Sequence, residues 1–240
     1  MRIYVGFDDT DTLEAERGTG KLVRWFEKEL PEQCRLWGVV RQQLLLDDAI
    51  PYTSHNSSAC AVIDCLEELS IDELKARAVS HVKRNFIEGS DPGLCIVRED
   101  DPVLPALISF GIECAHRVVT QNEATAAADG YLTGLGGTND GIIGAAAAVG
   151  LTAYGWSGRF IEFGELRKFP VEVSVESLNR ANIHVASMDR DAHMVVREDL
   201  VETGGWLRPR LWAGQAVLPV TPRGAGRWES LGTKRPGGEK

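Results

Sequence analysis

The first half of the chain alternates between apolar runs with the spacing of strands and apolar stripes with the spacing of helices. Residues 2–7 are β-branched and aromatic, which predicts a buried strand. Apolar residues then recur at helical spacing from Leu22 to Leu30, and Pro31 ends that predicted helix. Further strands are predicted at residues 36–46, 58–65 and 95–98, and further helices after residues 70 and 102.

The second half has shorter and less regular segments. A helix is predicted on each side of residues 133–141. Short strands are predicted at residues 117–120, 151–154, 159–163, 182–185 and 193–196. Strand and helix alternate through the first two thirds of the chain, which favours layered α/β (α+β) architecture.

Composition and charge narrow the class of protein. The chain has 240 residues, of which 43% are hydrophobic and 25% charged, and this is an ordinary soluble composition. No apolar run approaches the ~18 residues that span a bilayer, so we expect a cytoplasmic protein with no membrane partner. The net charge is −9. This argues against a simple polyanion-binding module, because such modules usually have a basic surface. Residues 201–240 differ from the rest, because they carry seven Lys or Arg against three Glu.

The cysteines and histidines show no metal-binding spacing. The five cysteines include no C-x-x-C pair and fall in apolar segments, which predicts buried reduced thiols rather than a zinc ribbon or a disulfide framework. We therefore expect any bound metal to be held by carboxylates.

The first predicted strand ends directly in Asp8-Asp9-Thr10-Asp11. Three carboxylates so close together repel one another unless a cation or hydrogen-bond donors compensate, and Mg²⁺ is the natural cation. The alternative is a solvated loop in which Asp9 or Asp11 caps backbone amides.

Gly18-Thr19-Gly20-Lys21 stands immediately before the first predicted helix. Glycines let the backbone approach an anion at a helix start, so this segment is a candidate phosphate contact, although it is not a Walker A sequence. A flexible loop before an ordinary helix is the alternative.

Two more polar segments are candidate sites. Residues 51–58 offer hydroxyl, amide and imidazole groups, although such residues also form plain turns. Residues 134–150 are glycine-rich but do not form a dinucleotide-binding fingerprint, because Asn139 stands where glycine is required. Asp140 either caps the following helix or faces a cationic ligand.

In this order, the segments 8–11, 18–21, 47–56 and 140–150 resemble the archaeal 2-agmatinylcytidine synthetase family, which modifies the wobble cytidine of a minor isoleucine tRNA. The clearest matches in the third segment are Ile50, Pro51, Tyr52 and Asn56. The chain is similar to a short form without the family's OB and zinc-ribbon domains, which bind the tRNA. The resemblance implies a kinase-like domain at residues 1–118 and a ferredoxin-like domain at residues 119–220. We expect a basic, flexible tail at residues 221–240.

The resemblance also implies ATP and Mg²⁺ as cofactors, and it assigns roles to residues. The implied catalytic residues are Asp8, Asp9, Asp11, Thr19 and Lys21, with the three aspartates also binding the metal and Thr19 matching a phosphorylatable threonine. The expected ATP contacts are Thr10, Gly18, Gly20, Arg41, His55 and Asn56. The expected amine-binding residues are Asp140, Gly141 and Gly144.

The sequence thus predicts a Mg²⁺- and ATP-dependent phosphoryl-transfer enzyme, a ligase or phosphotransferase. The resemblance extends this to tRNA processing, in which agmatine or a similar amine is coupled to a phosphorylated tRNA cytidine. The alternatives are a small-molecule kinase of the same fold and a non-catalytic module that binds a polyamine or a nucleotide.

Overall fold

The computed structural model describes residues 1–50, 55–66, 69–128 and 130–232. The helices within these ranges are α1 (Thr19–Trp25), α2 (Ile71–Asn85), α3 (Leu104–Cys114), α4 (Gln121–Ala128), α5 (Gly141–Tyr154) and α6 (Val175–Arg180). The strands are β1 (Arg2–Asp8), β2 (Cys34–Gln43), β3 (Ser57–Cys65), β4 (Gly93–Arg98), β5 (Leu132–Gly134), β6 (Arg159–Glu162), β7 (Glu172–Ser174), β8 (Ile183–Ser187), β9 (Leu200–Glu202), β10 (Arg210–Trp212), β11 (Gln215–Gly224) and β12 (Arg227–Ser230).

The strands form one mixed sheet, in the order β5-β4-β1-β3-β2-β6-β10-β11-β12-β9-β7, with β8 paired to β11. β1 lies between β3 and β4 and is antiparallel to both. The β8–β11 and β9–β12 pairs are parallel. The predicted α/β class is confirmed.

Helices cover both faces of the N-terminal strands. Successive side chains of a strand point to opposite faces, so each strand contributes to two cores. Val5 and Phe7 on β1 pack in the core that α1 and α2 cover. Tyr4 packs in the opposite core, which α3, α4 and α5 cover. The C-terminal end of β1 therefore emerges from the centre of a three-layer body.

Helix α5 lies directly on its neighbours because its residues are small. A Cβ at Gly150 would lie 1.9 Å from the carbonyl oxygen of Leu107, and a Cβ at Gly6 would lie 2.1 Å from that of Ala145. The close packing of α5 fixes its first turn beside the end of β1.

Among the described residues, no helix is both long and apolar enough to cross a membrane.

A third core lies in the C-terminal part of the sheet, where Leu178 on α6 packs with residues of β6, β8, β10 and β11. The Trp37 ring meets Phe160 and Phe163 edge-on, with centroids 5.3 Å apart in both pairs. The predicted domain division at residue 118 stays a prediction; α4, β5 and α5 pack on strands that precede that residue.

Three predicted strands are wrong. Residues 117–120 are irregular because Thr120 and Glu123 form a capping box that begins α4: Thr120 donates its N–H to Glu123 Oε2 at 2.8 Å, and Glu123 donates its N–H to Thr120 Oγ1 at 3.3 Å. Residues 151–154 are the last turn of α5, which ends at the left-handed Gly155. Residues 193–196 form a loop in which His193 donates its backbone N–H to Asp189.

The prediction that all cysteines are reduced is also wrong. Cys34 and Cys65 stand opposite each other on β2 and β3, with their Cα atoms 4.2 Å apart, and form a disulfide. The strand register creates this pairing, and the register cannot be seen in the cysteine spacing. Cys60, Cys95 and Cys114 are free and buried, as expected.

The predicted flexible tail begins too early in the chain. Residues 221–224 belong to β11 and residues 227–230 to β12. Trp228 is buried in the third core, and its indole N–H donates to Asp199 at 2.8 Å. The remainder of the predicted tail, residues 233–240, lies outside the described residues.

Candidate active site

A cleft of ≈ 1090 Å³ opens at the end of β1 and gathers most of the residues singled out in the sequence. The predicted residues that line it are Asp8, Asp9, Asp11, Gly18, Thr19, Gly20, Lys21, Arg41, His55, Asn56, Asp140 and Gly144. Thr10 and Gly141 stand behind this lining. Segments more than a hundred residues apart in sequence therefore share one cavity.

The loop after β1 is tied to the start of α1 by a buried hydroxyl. Asp11 Oδ1 accepts the backbone N–H of Thr19 at 2.9 Å and the Thr19 hydroxyl at 2.8 Å. The Thr19 hydroxyl in turn accepts the Thr10 hydroxyl at 3.0 Å. Thr10 is almost fully buried and acts from behind the cleft. Asp11 thus performs the amide-capping role that the sequence left open, with its carboxylate still on the cleft.

Asp8 is the last residue of β1, and it fits against α5 only because Gly144 has no side chain. A Cβ at Gly144 would lie 1.8 Å from Asp8 Oδ2. Burial raises the pKa of the Asp8 carboxyl well above its usual value, and the charges of Asp9 and Asp11 raise it further.

Asp9 has a left-handed backbone with φ 49°, which turns the chain at the strand end. Burial raises the pKa of Asp9 to about 6, and the charges of Asp91, Asp11 and Asp140 add to this rise. Among the described residues, neither Asp8 nor Asp9 forms a salt bridge. These carboxylates therefore repel one another without a cation to offset their charge.

This donor set fits a hard divalent cation. Carboxylate oxygens are the ligands that Mg²⁺ prefers, and Mg²⁺ keeps several waters and accepts only one or two carboxylates. Among the described residues, a trio of potential ligands with atoms within 4.8 Å of one another occurs instead at Asp189, Asp191 and His193. Within the described residues the cleft acids do not form such a close trio, so one or two of them would hold a divalent ion together with waters.

The first turn of α5 packs against the ends of β1 and β4. Gly141 donates its N–H to the carbonyl of Asp91 at 3.1 Å, and a Cβ at Gly93 would lie 2.1 Å from the Gly141 carbonyl carbon. Asp140 stands at the N-cap position, but its side chain makes no capping hydrogen bond; it accepts a hydrogen bond from Gln121. Asp140 lines the cleft, and its pairing with a cationic ligand stays a prediction.

Three further residues of the predicted site, Arg41, Asn56 and Lys21, contact neighbouring groups of the protein. Arg41 Nε donates to Ser57 Oγ at 3.0 Å, and Asn56 Nδ2 donates to the Leu45 carbonyl at 2.6 Å. Lys21 Nζ lies over the Trp25 ring, 5.4 Å from its centroid. Part of the predicted polar loop, residues 51–54 with Pro51 and Tyr52, lies outside the described residues.

Two parts of the cleft consist of residues that are not among the predicted site residues. Asp91, which directly precedes Pro92 and β4, adds a carboxylate beside Asp9. A group of cationic and aromatic side chains also lines the cleft, consisting of Arg24, Arg167, Trp206 and Arg208. The available signal was the alternation of aromatic and basic residues from Trp206 to Trp212, together with the basic bias after residue 200.

No protein-family model and no curated protein matches the chain. Solved structures do match it. The structure of a tRNA fluorescent labeling enzyme aligns with a TM-score of 0.52 and 25% identity, covering 62% of this chain and 36% of that one. A second match is TiaS, an agmatidine synthetase for an isoleucine tRNA. The structure of its complex with that tRNA, AMPCPP and agmatine aligns with a TM-score of 0.50 and 25% identity, covering 62% of this chain and 36% of that one. Its complex with the tRNA and ATP aligns with a TM-score of 0.52 and 24% identity.

Over 62% of its length, this chain folds like TiaS. The resemblance expected from the four ordered segments is therefore confirmed for the fold. The matched region spans about a third of the length of the TiaS chains.

Proposed function

We propose that this protein is a Mg²⁺- and ATP-dependent enzyme that transfers a phosphoryl group in the cleft at the end of β1. One observation carries the proposal: the cleft gathers partly buried carboxylates, which form no salt bridge with any described residue, and a threonine hydroxyl at the glycine-flanked start of α1. The TiaS structure with AMPCPP, an ATP analogue, supports a nucleotide as the ligand of this fold.

Asp8 and Asp9 would hold the metal, with Asp91 beside them. A bound Mg²⁺ would offset the charge of the ATP phosphates. Lys21 would stabilise charge that develops on the transferred group. Each of these side chains lines the same cleft.

Thr19 and Asp11 have the geometry of a nucleophile and its base. The Thr19 hydroxyl donates to Asp11 Oδ1 at 2.8 Å, which is hydrogen-bond reach for general-base catalysis. As Thr19 Oγ1 bonds to the γ-phosphorus, the bond from that phosphorus to the β–γ bridging oxygen breaks, ADP leaves, and the proton passes to Asp11. This step matches the phosphorylatable threonine that the family resemblance implies.

The acid end also suits a cationic amine. Asp140 accepts only the neutral amide of Gln121 among the described residues, so its carboxylate can pair with a guanidinium or an ammonium. TiaS was solved with agmatine and its isoleucine tRNA. We extend the proposal to an agmatine-like amine that displaces phosphate from a phosphorylated acceptor, with a tRNA cytidine as the first acceptor to test.

ATP turnover by purified protein tests the proposal. We expect Mg·ATP to raise the melting temperature and to yield ADP. Asp8→Asn should reduce turnover at least ~10²-fold, whereas Asp100→Asn, at an exposed turn, should leave it unchanged. The absence of both a thermal shift and nucleotide turnover would overturn the proposal. Amine binding without ATP consumption would identify a polyamine-binding module instead, and turnover with small acceptors alone would identify a small-molecule kinase.

A further inference from the structure

The cleft has a second, cationic end that the proposed phosphoryl transfer does not use. We call its four side chains, Arg24, Arg167, Trp206 and Arg208, the arginine wall. Arg24 comes from α1, Arg167 follows β6, and Trp206 and Arg208 precede β10. Three separate segments thus bring guanidinium groups to one surface of the cleft.

The positive charge of the arginine wall is poorly compensated. Glu162 is its nearby acid: Glu162 Oε2 lies 3.2 Å from Arg167 Nε and 3.6 Å from Arg24 NH1. Burial lowers the pKa of Arg208 to about 10, and the charges of Arg167 and Arg24 lower it further. Like charges held together in this way create an attractive site for an anion.

Trp206 gives the arginine wall a flat aromatic surface. The Arg208 guanidinium lies 3.9 Å from the Trp206 ring centroid, and that of Arg167 lies 5.6 Å from it. The indole is 39% exposed. Stacking holds the guanidinium of Arg208 in place, and a planar guanidinium grips phosphate through two parallel hydrogen bonds.

The size of the cleft leaves room for a second substrate. Its volume of ≈ 1090 Å³ exceeds the range of roughly 300–1,000 Å³ that is usual for a single small-molecule site. Mg·ATP occupies the acid end in the proposed function. A phosphoryl-transfer enzyme needs an acceptor in the same cavity. The positive charge of the arginine wall is therefore available for that acceptor.

We propose that the arginine wall is a second phosphate-binding subsite, which holds the acceptor by a phosphate group next to the base that is modified. This inference rests on the proposed function. The ligand class is a nucleoside phosphate, with Trp206 positioned to stack on a base and Arg208 and Arg167 to bind the phosphate. The phosphate belongs either to a free nucleotide or to an RNA strand.

Calorimetry with paired probes tests the inference. The probes are UMP against uridine, and a short single-stranded RNA with and without a 5′-phosphate, each in the presence of a non-hydrolysable Mg·ATP analogue. Arg208→Gln should weaken binding of the phosphorylated probe at least about tenfold, because a charge-assisted hydrogen bond is lost. Arg180→Gln, which removes only an exposed pair with Glu176, should leave it unchanged.

The same variants separate this subsite from the ATP site. Arg208→Gln should leave the affinity for Mg·ATP within about twofold, and Arg208→Lys should retain most of the binding of the phosphorylated probe. If Arg208→Gln lost equal affinity for Mg·ATP and for the phosphorylated probe, the arginine wall would belong to the triphosphate site and the inference would be overturned. Unchanged binding of every probe to Arg208→Gln would also overturn it. Asp8→Asn should weaken the binding of Mg·ATP and leave the binding of the acceptor probes unchanged. Failure of the proposed function would therefore show only in the Mg·ATP measurements.

The two phosphate sources differ in their response to salt. Binding of UMP would identify a free nucleotide as the ligand. Binding of RNA alone would identify a strand, and Arg208→Gln should then reduce the log–log salt slope by about 0.7 for each lost phosphate contact. Either result supports the subsite, and failure of both phosphorylated probes to bind the wild-type protein would overturn it.

Discussion

The two ends of the cleft are built in different ways. The acid end depends on the main chain: Asp8 closes β1, and Gly144 leaves the space that its carboxylate fills. The arginine wall depends on side chains, which reach the cleft from α1 and from the connections after β6 and before β10. The acid end therefore corresponds to a compact sequence motif. The arginine wall does not, because its side chains come from distant segments.

Both ends hold like charges close together. Burial and the neighbouring acids raise the pKa of Asp9, while burial and the neighbouring arginines lower that of Arg208. The net charge of −9 hides this division. A cleft with separated acidic and basic ends can bind a metal at one end and a phosphate at the other, and the following predictions test each end separately.

The largest effect should come from filling the space beside Asp8. Gly144→Ala places a Cβ where Asp8 Oδ2 now stands, so the carboxylate must move by about an ångström. Displacements of that size in a catalytic group reduce rates by roughly 10²-fold. We expect ATP turnover to fall by about that factor, measured as ADP release at saturating Mg·ATP.

Gly136→Ala is the matched control for this prediction. Its new Cβ would meet Pro92 at 3.7 Å, which is ordinary contact distance. Turnover should stay near that of the wild type. A Gly144→Ala enzyme as active as this control would show that the position of Asp8 does not matter.

An intermediate effect should appear in the pH dependence of stability without metal. Asp9 has a folded-state pKa of about 6 against an ordinary 3.8, because it is buried and lies near the charges of Asp91, Asp11 and Asp140. The folded protein therefore holds this proton where the unfolded chain has lost it. The contribution to stability is present at low pH and is lost as the pH rises from about 4 to about 6.

Asp9→Asn isolates this contribution. In chelator, the variant should be more stable than the wild type by roughly 2 kcal/mol above pH 6, and the difference should vanish near pH 4. Urea unfolding across this range measures it. Added Mg²⁺ should reduce or reverse the difference, because the ion stabilises the charged acids. A constant difference at all pH values would contradict the assignment.

The smallest effect is expected at the arginine wall in the absence of ligand. Within the described part of the chain, Arg208 donates one hydrogen bond, at 3.3 Å to the Leu207 carbonyl, stacks on the exposed Trp206 ring and lies among like charges. Arg208→Gln should therefore change the free energy of unfolding by no more than about 0.5 kcal/mol. Urea unfolding at low salt checks this. A loss of several kcal/mol would show that Arg208 supports the fold and is not held ready for an anion.

Local patterns predicted the elements that build the acid end. The β-branched run before Asp8 is a strand, and the glycine-rich segment does lead into a buried helix at Gly141. Asp11 and Thr19 lie in two separate candidate segments of the sequence, and the structure joins them by hydrogen bonds. Short-range spacing carries this information because each motif lies at the end of a single element.

Features that depend on strand register or on distant packing could not be predicted in this way. The disulfide of Cys34 and Cys65 requires β2 and β3 to pair in one register. Asp91 joins the acids because β4 pairs with β1, and Arg208 reaches the cleft because β10 pairs with β6. None of these contacts leaves a periodic signal in the sequence.

Helix α5 also has an evolutionary consequence. Because Gly144 and Gly150 leave no space for any larger residue, single substitutions cannot gradually reposition the acid end. The exposed side chains around Arg167 and Trp206 can be exchanged one at a time without moving the backbone. We expect homologous chains to vary more in the segments around these residues than in α5 and the acid end.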